Sequence, residues 1–263
     1  MVLEAADTAS LDWDALQWGV GVRNGADVAI HSARIAAARA RQDPSRVCLK
    51  VDLVNAFNAV DRSRVVQSAG ATDDALATWA FWSLARPSLL ATSSPRGPAL
   101  FSAQGVRQGD PVSPLLFSTA IHGVVKEVQS VAGGVSCWYL DDGFIEVCTD
   151  RLQLLLDTLS SGLSKLGLAL NASKSELLCA EAAARSCKTV AQCGIPRPPV
   201  EEWELLGSPL VPEAAARCFQ KRAAAVSQLL DAAAGLGDPH SQMRLLVSCL
   251  GTPRMAYLLR TTP

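Results

Sequence analysis

No stretch of eighteen apolar residues free of charge occurs in this 263-residue chain, so the sequence offers no candidate transmembrane helix. The first residues, MVLEAADTASLDWD, are acidic where a signal segment would be basic and apolar; an intracellular protein, nuclear or cytoplasmic, with no membrane partner is expected. Close cysteine pairs are missing as well. The eight cysteines, at 48, 137, 148, 179, 187, 193, 218 and 249, lack the spacing of a zinc site, and a disulfide framework does not suit a chain of this size; most are expected to be small core hydrophobes. His31, His122 and His240 are scattered and read as structural or surface residues. There is no GxSxG elbow, no Walker loop and no internal repeat, which removes the serine-hydrolase and P-loop chemistries. Nor is there an excess of basic charge: the net charge is −1 and the pI about 6.3, so composition alone argues against a grip on a polyanion.

What is present is core. A hydrophobic content of 49% in a chain of this length supports one large domain or two small ones. The most informative feature is the pair Asp141-Asp142 within SCWYLDDGFIEV. The runs Val135 to Leu140 and Phe144 to Val147 are rich in β-branched and aromatic residues, and Asp-Gly at 142–143 suits a tight hairpin turn. Taken alone, such acids read as ordinary turn residues.

A second acid changes the balance. In VCLKVDLVNAFNAVDRSRV, Val47 to Leu53 reads as a buried strand that Asp52 interrupts. A charge there is either paired, with Lys50 or a nearby arginine, or placed at the strand's carboxyl end beside the acidic hairpin. In the second case three carboxylates converge and require a cation to neutralise them, and hard divalent ions that take few protein carboxylates bring phosphates with them. Between these acids comes GVRQGDPVSPLLFSTAIHGVVKEV, in which Asp110 reads as an N-cap, Pro111 as the first helical residue, and Leu115 to Val128 as helix.

Together, KVDLVNAFNAV, RQGDPVSPLLF, YLDD, GLALNASKSEL and WELLGSPL, in that order, resemble the reverse transcriptases, in particular those of non-LTR retrotransposons. The similarity extends from QWGVGVRNGADVAIHSAR to MRLLVSCLGTPRMAYLLRT. The resemblance implies that Asp52, Asp141 and Asp142 bind two Mg²⁺ ions, with Mn²⁺ as the alternative, and carry the chemistry. It implies that Phe57 lies under the incoming sugar, although core packing after a strand is the plain alternative. It assigns Arg107, Gln108 and Gly109 to the nucleotide and template pocket, and Lys174 to general-acid assistance toward pyrophosphate, where a solvated surface lysine is the plain alternative. Leu206 and Gly207 match the turn that grips the primer. The implied partners are an RNA template, a DNA primer and deoxynucleoside triphosphates.

The implied fold is α+β: a right-hand polymerase palm, an antiparallel sheet with helices packed on one face, with partial fingers and the start of a helical thumb. Residues 1–46 are assigned to a fingers remnant, 47–211 to the palm and 212–263 to a partial thumb. Helices are expected over Asn24 to Arg41, Asp61 to Ser68, Asp73 to Ala85 with Thr72 as cap, and through the leucine stripe from Leu152 to Leu166, ended by Gly167. Short strands are expected at Leu89 to Thr92, Ala99 to Ala103 and Glu176 to Cys179. The basic residues Arg34, Arg39, Arg41 and Arg46, with Lys221, Arg222, Arg244, Arg254 and Arg260, offer a track for a nucleic-acid backbone or a set of solvated faces.

The short segment before QWGVGV has no counterpart of the family's basic fingers residues, and the chain stops after Arg260 without a full thumb, so a fragment or decayed copy is expected. The leading reading is an RNA-directed DNA polymerase. A catalytically silent palm that binds nucleic acid or protein is the alternative, and an RNA-dependent RNA polymerase or nucleotide cyclase is a third, against which Phe57 and Tyr139 favour deoxynucleotides.

Overall fold

The computed structural model describes residues 13, 15–90 and 99–263; the expected N-terminal segment before these, and Thr92 of an expected strand, lie outside the described residues. At its centre is a four-stranded antiparallel sheet, ordered β4-β5-β1-β6, from β1 (Arg46–Val51), β4 (Gly133–Tyr139), β5 (Asp142–Cys148) and β6 (Glu176–Leu178). Strand β1 runs between β5 (Val47↔Val147 to Val51↔Gly143) and β6 (Cys48↔Leu178 to Lys50↔Glu176). Residues 16–18 add a parallel rung outside β4: Trp18 donates its amide to the Trp138 carbonyl, and the Trp138 amide donates to Leu16, each at 2.8 Å.

Period-two alternation gives the sheet two apolar faces. On one lie Val47, Leu49, Val51, Trp138, Ile145, Val147 and Leu177. They meet the long helix Ser113–Ala132 and the helix Leu152–Lys165, whose Leu152, Leu155, Leu159 and Leu163 form the expected stripe. On the other lie Cys48, Cys137, Phe144 and Leu178, covered by helix Gly25–Gln42 and by Trp203, Leu205 and Leu210. The expectation of helices on one face is therefore corrected. Ala29, Ala33, Ala36, Ala37 and Ala40 make a helix face small enough to lie close on the second side, and strands such as VCLKV carry apolar residues on both sides.

Several boundaries differ from the sequence expectation. The long helix begins at Ser113, not Pro111, because Asp110 accepts from the Val112 amide and the Ser113 hydroxyl and Pro114 fills the first turn. Asp73, not Thr72, caps helix Asp74–Leu84, accepting from the Leu76 amide, while Thr72 closes helix Arg62–Thr72. That helix is capped by Asp61 and preceded by the single turn Ala56–Ala59. Strands β2 (Ser88–Leu90) and β3 (Leu100–Ser102) pair antiparallel apart from the central sheet. From Pro212 the chain is helical, beginning with Pro212–Ala234 and closing with Thr252–Thr261. Cys48, Cys137 and Cys218 are buried, four cysteines are half-buried and Cys249 is exposed, so fewer belong to the core than expected; none is in a disulfide. Among the described residues no helix is long and apolar enough to cross a membrane.

Candidate active site

The acidic turn is tighter than its sequence suggests. Tyr139 pairs with Asp142, so the two loop residues are Leu140 and Asp141, and the left-handed φ of +59° falls on Leu140, not on the Asp-Gly step. Such a φ is unfavourable for a leucine. Gly19 packs on this turn so closely that a Cβ there would lie 2.9 Å from Leu140 Cγ and from its amide nitrogen, and the parallel rung thereby supports the strained residue. Asp142 is the first residue of β5, and Asp52 follows Val51, whose partner is Gly143, so Asp52 and Asp142 stand at the same end of neighbouring strands.

All three acids are half-buried. Burial pushes the Asp142 carboxyl up to about 6, with Asp141 and Asp52 adding to the effect and Lys50 opposing it. Burial likewise raises Asp141, its own backbone amide opposes this and Asp52 adds to it. The three carboxylates thus lie within electrostatic reach of one another. Lys50 is not the partner of Asp52: its ammonium pairs with Glu176 at 3.0 Å across the β1–β6 ladder, and among the described residues no ion pair reaches Asp52. Hard oxygen donors that raise one another's pKa fit a divalent cation such as Mg²⁺. Among the described residues, however, no three His, Cys, Asp or Glu side chains are placed closely enough to hold a metal ion together.

Asp52 is held from behind. The segment carrying Lys174 runs alongside it: the Asn171 amide donates to the Asp52 carbonyl at 2.8 Å, the Asp52 amide donates to Ser175 Oγ at 3.1 Å, and Leu53 bridges Leu170. Lys174 itself is exposed on the adjoining turn. Ser175, fully buried, is a positioning residue that no sequence signal picks out among the neighbouring small polar residues.

The turn bearing Phe57 and the loop bearing Arg107, Gln108 and Gly109 are joined: the Val106 amide donates to the Phe57 carbonyl at 2.8 Å and the Gly105 amide to Val60 at 3.0 Å. Gly105, at φ +73°, is required there, since a Cβ would lie 2.4 Å from the Phe57 carbonyl oxygen. Arg62, 8% exposed, clamps the same loop by donating to the carbonyls of Ser102, Gly105 and Gln104 and to the Ser102 hydroxyl. Adjacent to the Asp61 cap, it reads in sequence as a surface helix charge. Phe57 is partly buried and stacks on Phe117 with centroids 4.6 Å apart and planes 19° apart, so packing accounts for one of its faces. Arg107 is exposed, yet its guanidinium donates to the Ser83 carbonyl and the Ser88 hydroxyl; Gln108 and Gly109 are exposed at the mouth of the long helix.

Leu206 and Gly207 form the two-residue turn between strands Glu204–Leu205 and Ser208–Pro209, with φ of +50° and +74°. The Tyr257 hydroxyl donates to the Leu206 carbonyl at 2.9 Å. The hairpin sits on the Lys50 side of the sheet, where Lys50 acts electrostatically on both Glu204 and Asp142.

The expected basic track is largely spent internally. Arg39 and Arg46 bond the fully buried Glu146, Arg41 pairs with Glu213, Lys221 with Glu204 and Arg260 with Asp27, while Arg34 donates to the carbonyls of Pro209 and Thr261. These charges join distant parts of the chain, which a reading of neighbours in sequence does not reveal.

Comparison with known proteins adds an independent finding. A family model described as reverse transcriptase (RNA-dependent DNA polymerase) matches residues 18–210. Among solved structures, apo telomerase from Candida tropicalis superposes with a TM-score of 0.50 at 15% identity, over 69% of this chain and 36% of that one. Telomerase from the same organism in complex with the TWJ fragment of telomeric RNA gives 0.48 at 15% identity, over 63% and 30%. The chain therefore spans about a third of the length of these structures, and the likeness to the apo telomerase is one of fold. No curated protein matches the sequence.

Proposed function

The chain belongs to the reverse transcriptase family, and on that premise we propose that it adds deoxynucleotides to a DNA primer 3′ end on an RNA template. The observation that carries this reading is that Asp52, next after β1, stands at the same end of the sheet as Asp141 and Asp142 at the turn into β5 and raises the carboxyls of both. In this proposal the three carboxylates hold Mg²⁺ or Mn²⁺, which when bound neutralises them and assists both attack by the primer hydroxyl and departure of pyrophosphate. The chain's own residues do the positioning. Ser175 and Asn171 fix the Asp52 backbone, the Arg62 clamp holds the loop of Arg107, Gln108 and Gly109 against the Phe57 turn, and the Leu206–Gly207 turn faces the primer. Lys174, exposed on the turn beside Asp52, is the proposed general acid. Residues 47–211 serve as palm and 212–263 as a thumb-like helical segment. Within the family the proposal groups the chain with the non-LTR elements, a reading supported by the order and wording of the motifs.

The test is extension of a labelled DNA primer on an RNA template with Mg²⁺, comparing the chain with Asp141→Asn and Asp142→Asn. Extension by the parent and its loss by at least about a hundredfold in each variant are expected, as phosphoryl transfer depends on positioned charge. Equal extension by parent and variants would overturn the assignment.

A further inference from the structure

Six large apolar side chains are exposed in one short stretch of the chain: Phe81 and Trp82 at the end of helix Asp74–Leu84, Leu89 and Leu90 on β2, and Leu100 and Phe101 on β3. Trp82 is 74% exposed and Phe101 61%. Protein surfaces seldom gather so many apolar groups unless something covers them. The two strands are tied to the end of the helix: Arg107 donates to the Ser83 carbonyl and the Ser88 hydroxyl, while Arg62 holds the Ser102 carbonyl and hydroxyl. Ser88 and Ser102 are a cross-strand pair, so the next pair, Leu89 and Phe101, lies on the opposite side of the ladder. Among the described residues no third strand joins β2 or β3, and each leaves an edge open to another strand. Two short strands alone are marginal, and a third would add both pairing and cover.

Charge selects the occupant. From Ala75 to Gly109 the sequence holds three arginines, Arg86, Arg96 and Arg107, and no aspartate or glutamate. Arg86 is exposed, and among the described residues no carboxylate pairs with it. A second copy docked through the same face would set arginine against arginine. A nucleic-acid strand fits less well, because Arg107 is spent on Ser83 and Ser88 and half of the patch is leucine, which offers a base no ring. A protein segment that alternates large apolar and acidic residues meets every condition. Added to an open edge, it continues the Leu89–Phe101 side with its apolar groups and turns its acids to the serine side, where Arg107 lies.

We infer that the β2–β3 edge, with the adjoining Phe81 and Trp82, is a docking surface for an extended acidic segment of a partner protein, taken up as a third strand. This surface stands whether or not the chain polymerises. The probe is a fluorescein-labelled peptide of alternating valine and glutamate, about eight residues long, titrated into the full chain and followed by anisotropy. Saturable binding is expected, weakened at least about tenfold in Phe101→Glu and in Trp82→Ser, both at exposed positions whose replacement leaves the core intact. Methylation of alternate peptide amides, which blocks one edge of the strand and leaves its side chains unchanged, should weaken binding as much. No binding by the parent, undiminished binding by both variants, or full binding of the methylated peptide would overturn the inference. Equal binding of a valine–lysine peptide would remove the charge selection and overturn it too. Displacement of the peptide by oligo(dT) would give the face to nucleic acid, and a parent dimer that Phe101→Glu converts to monomer in sedimentation would give it to a second copy; either result overturns the assignment.

Discussion

The hydroxyl of Ser175 bridges both backbone polar groups of Asp52, accepting from its amide at 3.1 Å and facing its carbonyl at 3.5 Å. Ser175 is fully buried, so no water replaces that hydroxyl once it is removed. Ser175→Ala is expected to cost about 1–3 kcal/mol, the penalty for an unsatisfied buried amide. Because that amide belongs to Asp52, kcat for primer extension should fall as well. Thermal unfolding and single-nucleotide addition measure the two effects, and an unshifted melting temperature would show the bridge to be idle.

Glu146 is fully buried between Arg39, 2.9 Å from its Oε1, and Arg46, at 3.1 Å. Burial pushes its carboxyl up, but the Arg39 hydrogen bond, the Val135 amide and the charges of Arg39 and Arg46 outweigh this and hold it below the usual carboxylate range. A carboxyl depressed in this way contributes stability that is complete above its unfolded value, roughly 4.3, and is lost as pH falls through the folded value. Glu146→Gln should therefore lose about 2 kcal/mol at neutral pH, with the gap to the parent closing in acid. Urea midpoints at neutral pH and below pH of roughly 4 give the comparison, and a gap that stays constant would rule the linkage out.

Arg62 makes four hydrogen bonds to the loop of residues 102–105 that leads into Arg107, Gln108 and Gly109. Its planar fork reaches several acceptors at once, which an ammonium does not. Arg62→Ala and Arg62→Lys should both destabilise the fold, by about 2 kcal/mol for alanine, and both should raise the KM for deoxynucleotide more than they lower kcat. Restoration of the parent KM by lysine would show that charge alone, not the fork, holds the loop.

Phe57→Ala removes the stack on Phe117 and the bulk beside the loop of Arg107, Gln108 and Gly109. A loss of about 1–3 kcal/mol is expected for a partly buried aromatic. Ribonucleotide incorporation should rise relative to deoxynucleotide incorporation in the same extension assay. An unchanged ratio at lowered stability would make Phe57 a packing residue and nothing more.

How much of this was legible in the sequence depended on the distance over which each feature is determined. The leucine stripe of helix Leu152–Lys165 and the strand leading to Asp52 followed from local periodicity, and both stand where the pattern put them. The Asp-Gly step suggests the wrong turn because the positive φ falls on Leu140, which packs against Gly19, more than a hundred residues away, and no local preference encodes that contact. Arg39 and Arg46 read as a nucleic-acid track or as solvated faces for the same reason: Glu146, which absorbs them, lies about a hundred positions downstream. Nothing in the sequence marks Arg62 or Ser175, because a surface-type residue becomes a buried clamp only once the fold encloses it.

The pairing of β1 with β5 ends at Val51 and Gly143, one step short of the two carboxylates that follow. Side chains alternate sides along a strand, so removing or adding a single residue between Arg46 and Val51 would turn Asp52 to the opposite surface and leave Asp142 facing emptiness. That hexapeptide can tolerate exchanged letters, but its length is a ruler, and evolution or an engineer can alter it only in steps of two.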